Sequence, residues 1–286
     1  MPPEYDGIKT VTFLRSRCGV SSRLVGKLKR AENGILLDGT RVRTIDRLRA
    51  GCVLEINIPD EGSAPAPVSA PLNIVYEDSD IIVINKSPFT AMHPTHNHQG
   101  DTLANAVAAH LAEKGGTGSF RAAGRLDKGT SGAVVCALNR FSASKLNGSI
   151  KKEYVALVKG NPGENGRIDV PIYRPDPMKT LRACSYEKGI EPAVTNWMAI
   201  KHYANCTLVR VNLETGRTHQ IRVHFAFIGH PLAGDNMYGD FMPQYGHQLL
   251  HCEKCSFIHP VTNEAVEFIA DFPEDFKTAL KQLETI

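Results

Sequence analysis

Two short stretches gather the side chains that could do chemistry. In GRLDKGTSG, residues 124–132, a single carboxylate, Asp127, follows Arg125 by two positions and leads into a Gly-Thr-Ser-Gly bend. In HQIRVHF, residues 219–225, polar and apolar residues alternate. Read as a strand, this sets Gln220, Arg222 and His224 on one face and Ile221, Val223 and Phe225 on the other. A carboxylate on a tight turn can act as a nucleophile or stabilise developing positive charge. A cation brought beside it from another element would keep it ionised. An Asp in a turn also has a purely structural use, and a polar strand face can simply meet solvent. The first stretch has neither G-x-G-x-x-G spacing nor a G-K-[ST] ending, which excludes dinucleotide and phosphate-loop readings. Ser131 sits outside a G-x-S-x-G elbow, so a hydrolase serine is not expected.

Metal binding is the rival chemistry. HQLLHCEKC offers His247, His251, Cys252 and Cys255, including one C-x-x-C. A structural zinc site usually takes two such pairs or a following H-x₃₋₅-H, and neither is present. A strand here would also send Cys252 and the two histidines to opposite faces. The His-rich HPTHNHQGD, with His93, His96 and His98, reads as a polar loop. No metal is expected.

These residues need elements to position them. VSSRLVGKLKR is a short basic helix opening at Ser21 or Ser22. ILLDGTRV is strand, Asp-Gly turn and strand, and CVLEINI alternates as a half-buried strand. EGSAPAPVSAP, residues 61–71, is a semi-rigid linker. LNIVYEDSDIIVINK gives two strands about an acidic turn. DTLANAVAAHLAEKG is a helix with Leu103, Val107 and Leu111 on one face and Gly115 as its stop. GAVVCALN is a buried strand followed by a polar helix through SASKLNGSI. KEYVALVKG, CTLVRVNLETG and EAVEFIA are further strands, and EDFKTALKQL is a closing helix. Helices and strands mix without a βαβ rhythm, which favours an α+β fold.

The chain has 286 residues, 42% hydrophobic and 22% charged, which suits a globular protein of one large or two smaller domains. Seven scattered cysteines and no leader-like start predict reduced thiols in the cytoplasm. No apolar run approaches a membrane span. The net charge of +3 hides an asymmetry: residues 9–49 hold eleven Lys and Arg against Glu32, Asp38 and Asp46. A basic module joined to a mildly acidic body predicts a polyanionic partner.

In order along the chain, several stretches resemble the RluA-type pseudouridine synthases. YEDSDIIVINKSPFTAMHPT is similar to the family's opening strands and His-Pro loop, and RLDKGTSG to its catalytic-aspartate motif. KKEYVALVKG is similar to its tyrosine strand, TGRTHQIRVHFAFIGHPLAGDNMYG to its longest signature, and LLHCEKCSFIHPVTNEAVEF to its C-terminal strands. The resemblance covers about residues 72–280. Residues 8–60 resemble the α-L RNA-binding module of S-four type. The division expected is residues 8–60 as that module, 61–71 as linker and 72–286 as catalytic domain. One departure is visible: the family usually has His before Arg-Leu-Asp, where this chain has Gly124. That side chain is not the nucleophile, so the chemistry is expected to survive.

The resemblance implies an α+β fold with a mixed, largely antiparallel sheet and a central cleft. It implies isomerisation of uridine to pseudouridine in RNA: the ribose–nitrogen bond breaks, the base turns and rejoins through carbon 5, with no redox change and no cofactor. Asp127 would be the catalytic carboxylate, Arg222 its ion-pair partner and Tyr154 the ring packed on the uracil. Arg125 would fill the gap left by the extruded base, and Leu250 would form an apolar wall. The partner is RNA, with ribosomal RNA favoured over transfer RNA, no membrane, and a monomeric enzyme. Two other readings stand beside it: a catalytically inactive RNA-binding or ribosome-assembly factor of the same fold, and a zinc-bound nucleic-acid module using Cys252 and Cys255.

Overall fold

The computed structural model describes residues 1–58, 65–95, 98–116, 120–239, 242 and 244–284. Residues 59–60 at the end of the expected N-terminal module, residues 61–64 of the expected linker, and His96 lie outside the described residues.

Residues 1–58 form a small unit of two helices, α1 (Thr10–Ser16) and α2 (Ser22–Arg30), on a three-stranded antiparallel sheet of β1 (Ile35–Leu37), β2 (Thr40–Arg41) and β3 (Leu54–Ile56). Ser21 caps α2 by accepting from the Leu24 amide at 3.2 Å, as the run of Ser before the apolar period predicts. Asp38 and Gly39 both take positive φ between β1 and β2, the turn an Asp-Gly pair favours. Leu14, Val20, Leu24, Val25, Leu28 and Ile35 make its core, and Phe141 from the rest of the chain packs against them.

The rest of the chain is built on one ten-stranded sheet. Its strands are β4 (Ile74–Glu77), β5 (Ile81–Lys86), β6 (Arg121–Ala122), β7 (Ser131–Ala137), β8 (Lys151–Lys159), β9 (Asn165–Asp169), β12 (Val194–His202), β13 (Cys206–Leu213), β14 (Leu250–Ile258) and β15 (Ala265–Ile269). The main path runs β4-β5-β7-β14-β8-β13-β12-β9, with β15 on β14 and β6 on β7. A separate two-stranded ribbon joins β10 (Ile172–Tyr173) to β11 (Ala183–Cys184). The helices are α3 (Leu103–Glu113), α4 (Arg140–Leu146), α5 (Gln220–Phe227) and α6 (Glu274–Glu284). No described helix is long and apolar enough to cross a membrane.

Both faces of the central strands are covered, so they read as continuous apolar runs. Alternation still sorts their side chains. On β8, Tyr154, Ala156 and Val158 join the large core that also holds α3 and Ile221 and Phe225 of α5. Val155 and Leu157 point the other way, to the core closed by Phe276 and Ala279 of α6. Tyr154 therefore faces the α5 side of the sheet.

One pairing matters most for the site. β7 and β14 run parallel, with His251 opposite Ser131 and Cys252 opposite Gly132. Their N-terminal ends therefore lie side by side, which puts the turn before β7 next to Leu250. Gly132, at φ +109, permits this approach: a Cβ there would meet the Cys252 backbone nitrogen at 2.6 Å.

The structure corrects one expectation outright. HQIRVHF is helix α5, not a strand. Gln220 through Phe225 are all buried, so an alternating pattern carried no information about face. The helical cue was Ile221 and Phe225, spaced i, i+4 into one core, with Gly229 at φ +85 and Pro231 just past the end.

Candidate active site

Asp127 sits on the turn between β6 and β7. The turn is closed by the Thr130 amide donating to the Asp127 carbonyl at 3.0 Å. Buried Leu126 anchors it on one side, and Gln248 Nε2 donates to Thr130 Oγ1 at 3.2 Å on the other. Gly124 has φ +94, a conformation L side chains avoid. A Cβ there would also lie 3.1 Å from Lys152 Nζ. The missing histidine is thus explained by backbone geometry: this turn is shaped for glycine.

Arg222 reaches the turn from α5, not from a strand face. Its Nη1 donates to Asp127 Oδ2 at 3.2 Å. Its Nε and Nη2 fork onto Asp235 at 2.7 and 2.8 Å. Asp235 is completely buried and also accepts the amides of Met237 and Tyr238 at 3.0 and 3.3 Å. The guanidinium stacks over the Tyr238 ring, 5.1 Å from its centroid. Burial works against the Arg222 charge, but Asp235 and Asp127 outweigh it and hold the pKa above its ordinary value. The cation is permanent and doubly anchored, and such a fork fixes orientation as well as charge.

His219 precedes α5 in a left-handed conformation, φ 58. Its Nε2 is 3.8 Å from Asp127 Oδ2 and its Nδ1 2.8 Å from the Tyr238 hydroxyl. Burial lowers its pKa, partly offset by Asp127. Gln220 ties down the loop before α5. Its Oε1 accepts from Thr215 Oγ1 and the Arg217 amide, and its Nε2 donates to the Val194 carbonyl.

Lys86 ends β5 beneath the turn and is only 1% exposed. Its ammonium donates to the carbonyls of Ser87, Thr90 and Lys128 at 2.7, 2.9 and 3.0 Å. Three acceptors match its three N–H bonds. Burial pushes its pKa down to about 7, with Asp127 opposing. It fixes the backbone next to the carboxylate.

Asp127, Tyr154, Arg222, Arg125 and Leu250, the five residues singled out from the sequence, line one cavity together with Leu213, His219 and Ile221. The cavity is about 70 Å³, well under the roughly 300 Å³ of an ordinary small-molecule site. Arg125 is exposed at its rim. Tyr154 is buried, and burial holds its phenol well above its usual pKa, so it stays neutral at physiological pH. Sequence reasoning missed Asp235, Lys86 and His219. Asp235 had one available signal: a buried guanidinium has five donors, more than one turn carboxylate can satisfy.

The rival metal ligands are engaged elsewhere. His247 lies 2.6 Å from Asp275 and 2.7 Å from the Gln248 carbonyl. His251 lies 2.8 Å from Ser131 Oγ and 2.9 Å from the Ala270 carbonyl. Burial pushes the Cys252 and Cys255 thiols up to about 11 and about 12, which disfavours thiolate. In the His-rich loop, His98 pairs with Asp101 at 2.6 Å and His93 packs edge-on against Phe120.

The cavity thus sets a carboxylate held by an anchored cation beside a buried ring and an aliphatic wall, at the middle of a mixed sheet. The fold is that of the pseudouridine synthase class. The solved human structure titled RNA Pseudouridylate Synthase Domain Containing 1 matches with a TM-score of 0.58 and 27% identity, over 75% of this chain and 87% of that one. Human RNA Pseudouridylate Synthase Domain Containing 4 matches with a TM-score of 0.60 at 22% identity, over 74% and 93% of the two chains, a likeness of fold.

Sequence comparison carries the assignment further. Residues 80–227 match the family described as RNA pseudouridylate synthase. The uncharacterized RNA pseudouridine synthase YjbO of Bacillus subtilis is 35% identical over 95% of this chain and 98% of its own length. Ribosomal large subunit pseudouridine synthase D of Haemophilus influenzae is 34% identical over 98% and 88%. The chain belongs to the RNA pseudouridylate synthase family and is an RNA pseudouridine synthase of the RluA type.

Proposed function

We propose that Asp127 is the catalytic carboxylate of this synthase and that its substrate is large-subunit ribosomal RNA. The observation carrying the first part is the Asp127–Arg222 contact. Arg222 and His219 both approach Oδ2, which leaves Oδ1 as the oxygen for the substrate. A uridine inside a helix hides its glycosidic bond, so the nucleotide enters the cleft extruded. The narrow cavity opens by movement of Arg125, which then occupies the space the base has left in the RNA. Tyr154 packs on the uracil and Leu250 walls its other side. The carboxylate attacks the nucleotide or draws off positive charge as the ribose–nitrogen bond breaks, and the detached base turns in the pocket until carbon 5 meets the sugar. A base must take the proton released from carbon 5: the Tyr154 hydroxyl can relay it only by passing its own proton on, and the Asp127 carboxylate, free again once the base is rejoined, is the acceptor in the same cavity. Arg222 keeps Asp127 aimed throughout.

Support for the substrate is the naming of relatives such as the Haemophilus influenzae enzyme as large-subunit ribosomal synthases. The basic residues 8–60 serve as the RNA-binding module, and residues 72–286 as the catalytic domain. The test is to map pseudouridine in large-subunit ribosomal RNA by carbodiimide modification and primer extension, in cells with and without the chain. Loss of a defined subset of sites on deletion, restored by wild type but not by Asp127→Asn, is expected. An unchanged ribosomal pattern with sites lost from transfer RNA would replace the substrate.

A further inference from the structure

A second cleft adjoins the catalytic turn. Its volume is about 550 Å³, inside the roughly 300–1,000 Å³ of small-molecule sites. Phe89, Gly129, Arg222, Asn236, Met237 and Gln248 contribute to its walls. Arg222 lines both this cleft and the Asp127 cavity, so the two spaces share a wall.

Phe89 is 59% exposed, yet its ring is held in place. It stands at right angles to the His247 ring, with 5.1 Å between centroids. A Cβ on Gly246 would come within 3.3 Å of it, so the bare backbone there makes room for the ring. His247 is itself tied to Asp275 and to the Gln248 carbonyl. A rigid aromatic face left in water gains free energy when a flat partner covers it.

Gln248 is a second, independent observation. It is only 6% exposed. Its Nε2 is committed to Thr130 Oγ1 at 3.2 Å, and its Oε1 has no hydrogen bond among the described residues. The amide lies against Gly129, two residues past Asp127, where a Cβ would collide with it. A nearly buried acceptor with nothing on it favours an occupant that brings an N–H donor. Asn236, exposed in the same cleft, also has an amide with no hydrogen bond from its side chain among the described residues. Met237, 42% exposed, adds a polarisable apolar surface that adapts to flat groups.

These walls are preformed. A Cβ on Gly234, at φ +75, would strike the His247 backbone. The Leu249 amide donates to the Ala233 carbonyl at 2.9 Å, and Asp235 accepts the Met237 amide at 3.0 Å. The segments that carry Asn236, Met237 and Gln248 are therefore locked to each other.

A fixed ring face and a fixed acceptor in one cleft suit a nucleobase, which stacks on the first and donates an exocyclic amine to the second. We infer that this cleft takes the base next to the target uridine and selects a purine bearing an exocyclic amine, with adenine as the base to test. Phe89 stacks on the ring, and Gln248 Oε1 accepts from the amine. The neighbour relation rests on the catalytic reading above. From Asp127 to Gly129 the chain spans at most about 7 Å, on the order of two base steps along a strand. Sequence context around the modified uridine is then read by Phe89 and Gln248, outside the cavity that holds the uridine itself.

The test is fluorescence anisotropy of fluorescein-labelled trinucleotides with the full chain. The probes are r(UUU), r(AUA), and r(AUA) with both adenosines replaced by nebularine, which lacks the amine. Placing the same base on both sides makes the result independent of which neighbour is read. Wild type is expected to bind r(AUA) about 3- to 10-fold more tightly than the nebularine probe, the net worth of one hydrogen bond, and more tightly than r(UUU). Gln248→Met is expected to bring r(AUA) and the nebularine probe to equal affinity. Phe89→Leu is expected to weaken r(AUA) about tenfold through lost stacking. Phe227→Leu, which removes an exposed ring outside the cleft, is expected to leave it unchanged. Phe89→Leu alters an exposed side chain, so its result stands even if Gln248→Met disturbs the turn at Thr130. Equal wild-type affinity for r(AUA) and the nebularine probe, or equal losses from Phe89→Leu and Phe227→Leu, would overturn the site. Binding is read without turnover, so tritium release by Asp127→Asn would sink the catalytic reading and leave the base preference standing.

Discussion

Asp235 holds Arg222 through both of its oxygens, at 2.7 and 2.8 Å, and is itself fully buried. The acid that orients Arg222 is therefore not the acid proposed to meet the substrate. Replacing Asp235 by Asn keeps the shape but removes one charge and one acceptor from a buried cation. Breaking a buried pair from one side costs about 3–5 kcal/mol. Asp235→Asn is expected to lower the urea midpoint accordingly and to reduce kcat more than RNA affinity. A variant with unchanged stability and turnover would show that Asp127 alone positions Arg222.

Tyr154 offers a ring and a hydroxyl, and two substitutions separate them. Stacking on a base is worth about 1–3 kcal/mol, so Tyr154→Ala is expected to raise KM as well as lower kcat. Tyr154→Phe keeps the ring, so KM should hold while kcat falls by about 10²–10⁴, the usual worth of a positioned proton-transfer group. Steady-state kinetics on one RNA transcript distinguishes the two.

Lys86 gives a pH dependence with a definite sign. Its pKa is near 10.5 in the unfolded chain and about 7 when buried. Between those values the unfolded state holds a proton that the folded state has lost, so stability rises with pH. The contribution is fully present above about 10.5 and is lost as pH falls through about 7. Relative to Lys86→Met, the wild type should gain up to about 1.4 kcal/mol per pH unit across that window, measured by urea unfolding at several pH values. The same variant frees the backbone beside Asp127 and should lower kcat.

Gly124 is expected to resist restoration of the histidine usual in the family. At φ +94 and with Lys152 Nζ at 3.1 Å from a would-be Cβ, Gly124→His should cost about 1–3 kcal/mol of backbone strain. Differential unfolding measures it. A neutral or stabilising result would mean the turn rearranges freely.

Much of this was legible in the sequence, for identifiable reasons. The Asp-Gly turn, the Ser21 cap and the apolar run of β7 are local signals, and the chain folds there as they dictate. The strand Val194–His202 gave little warning, because it pairs with Asn165–Asp169 toward one end of the sheet and its second half is largely exposed. The helix of Arg222 was misread because burial on every side erased the contrast between faces. Asp127, Arg125 and Arg222 stood out by residue type and spacing, Tyr154 and Leu250 only by resemblance, and the structure gathers all five around one cavity. Asp235 and Lys86 stayed hidden because their partners are distant in sequence or lie on the backbone, and only folding makes those contacts visible.

The central claim, that the Asp127 carboxylate performs the isomerisation, is tested most directly by tritium release from large-subunit ribosomal RNA transcripts labelled at carbon 5 of uridine. Wild type and Asp127→Asn are compared at matched RNA occupancy. The expected result is release by the wild type and none by Asp127→Asn, with RNA affinity preserved in both. Release by Asp127→Asn at the wild-type rate would contradict the account and move the chemistry to another residue of the cleft.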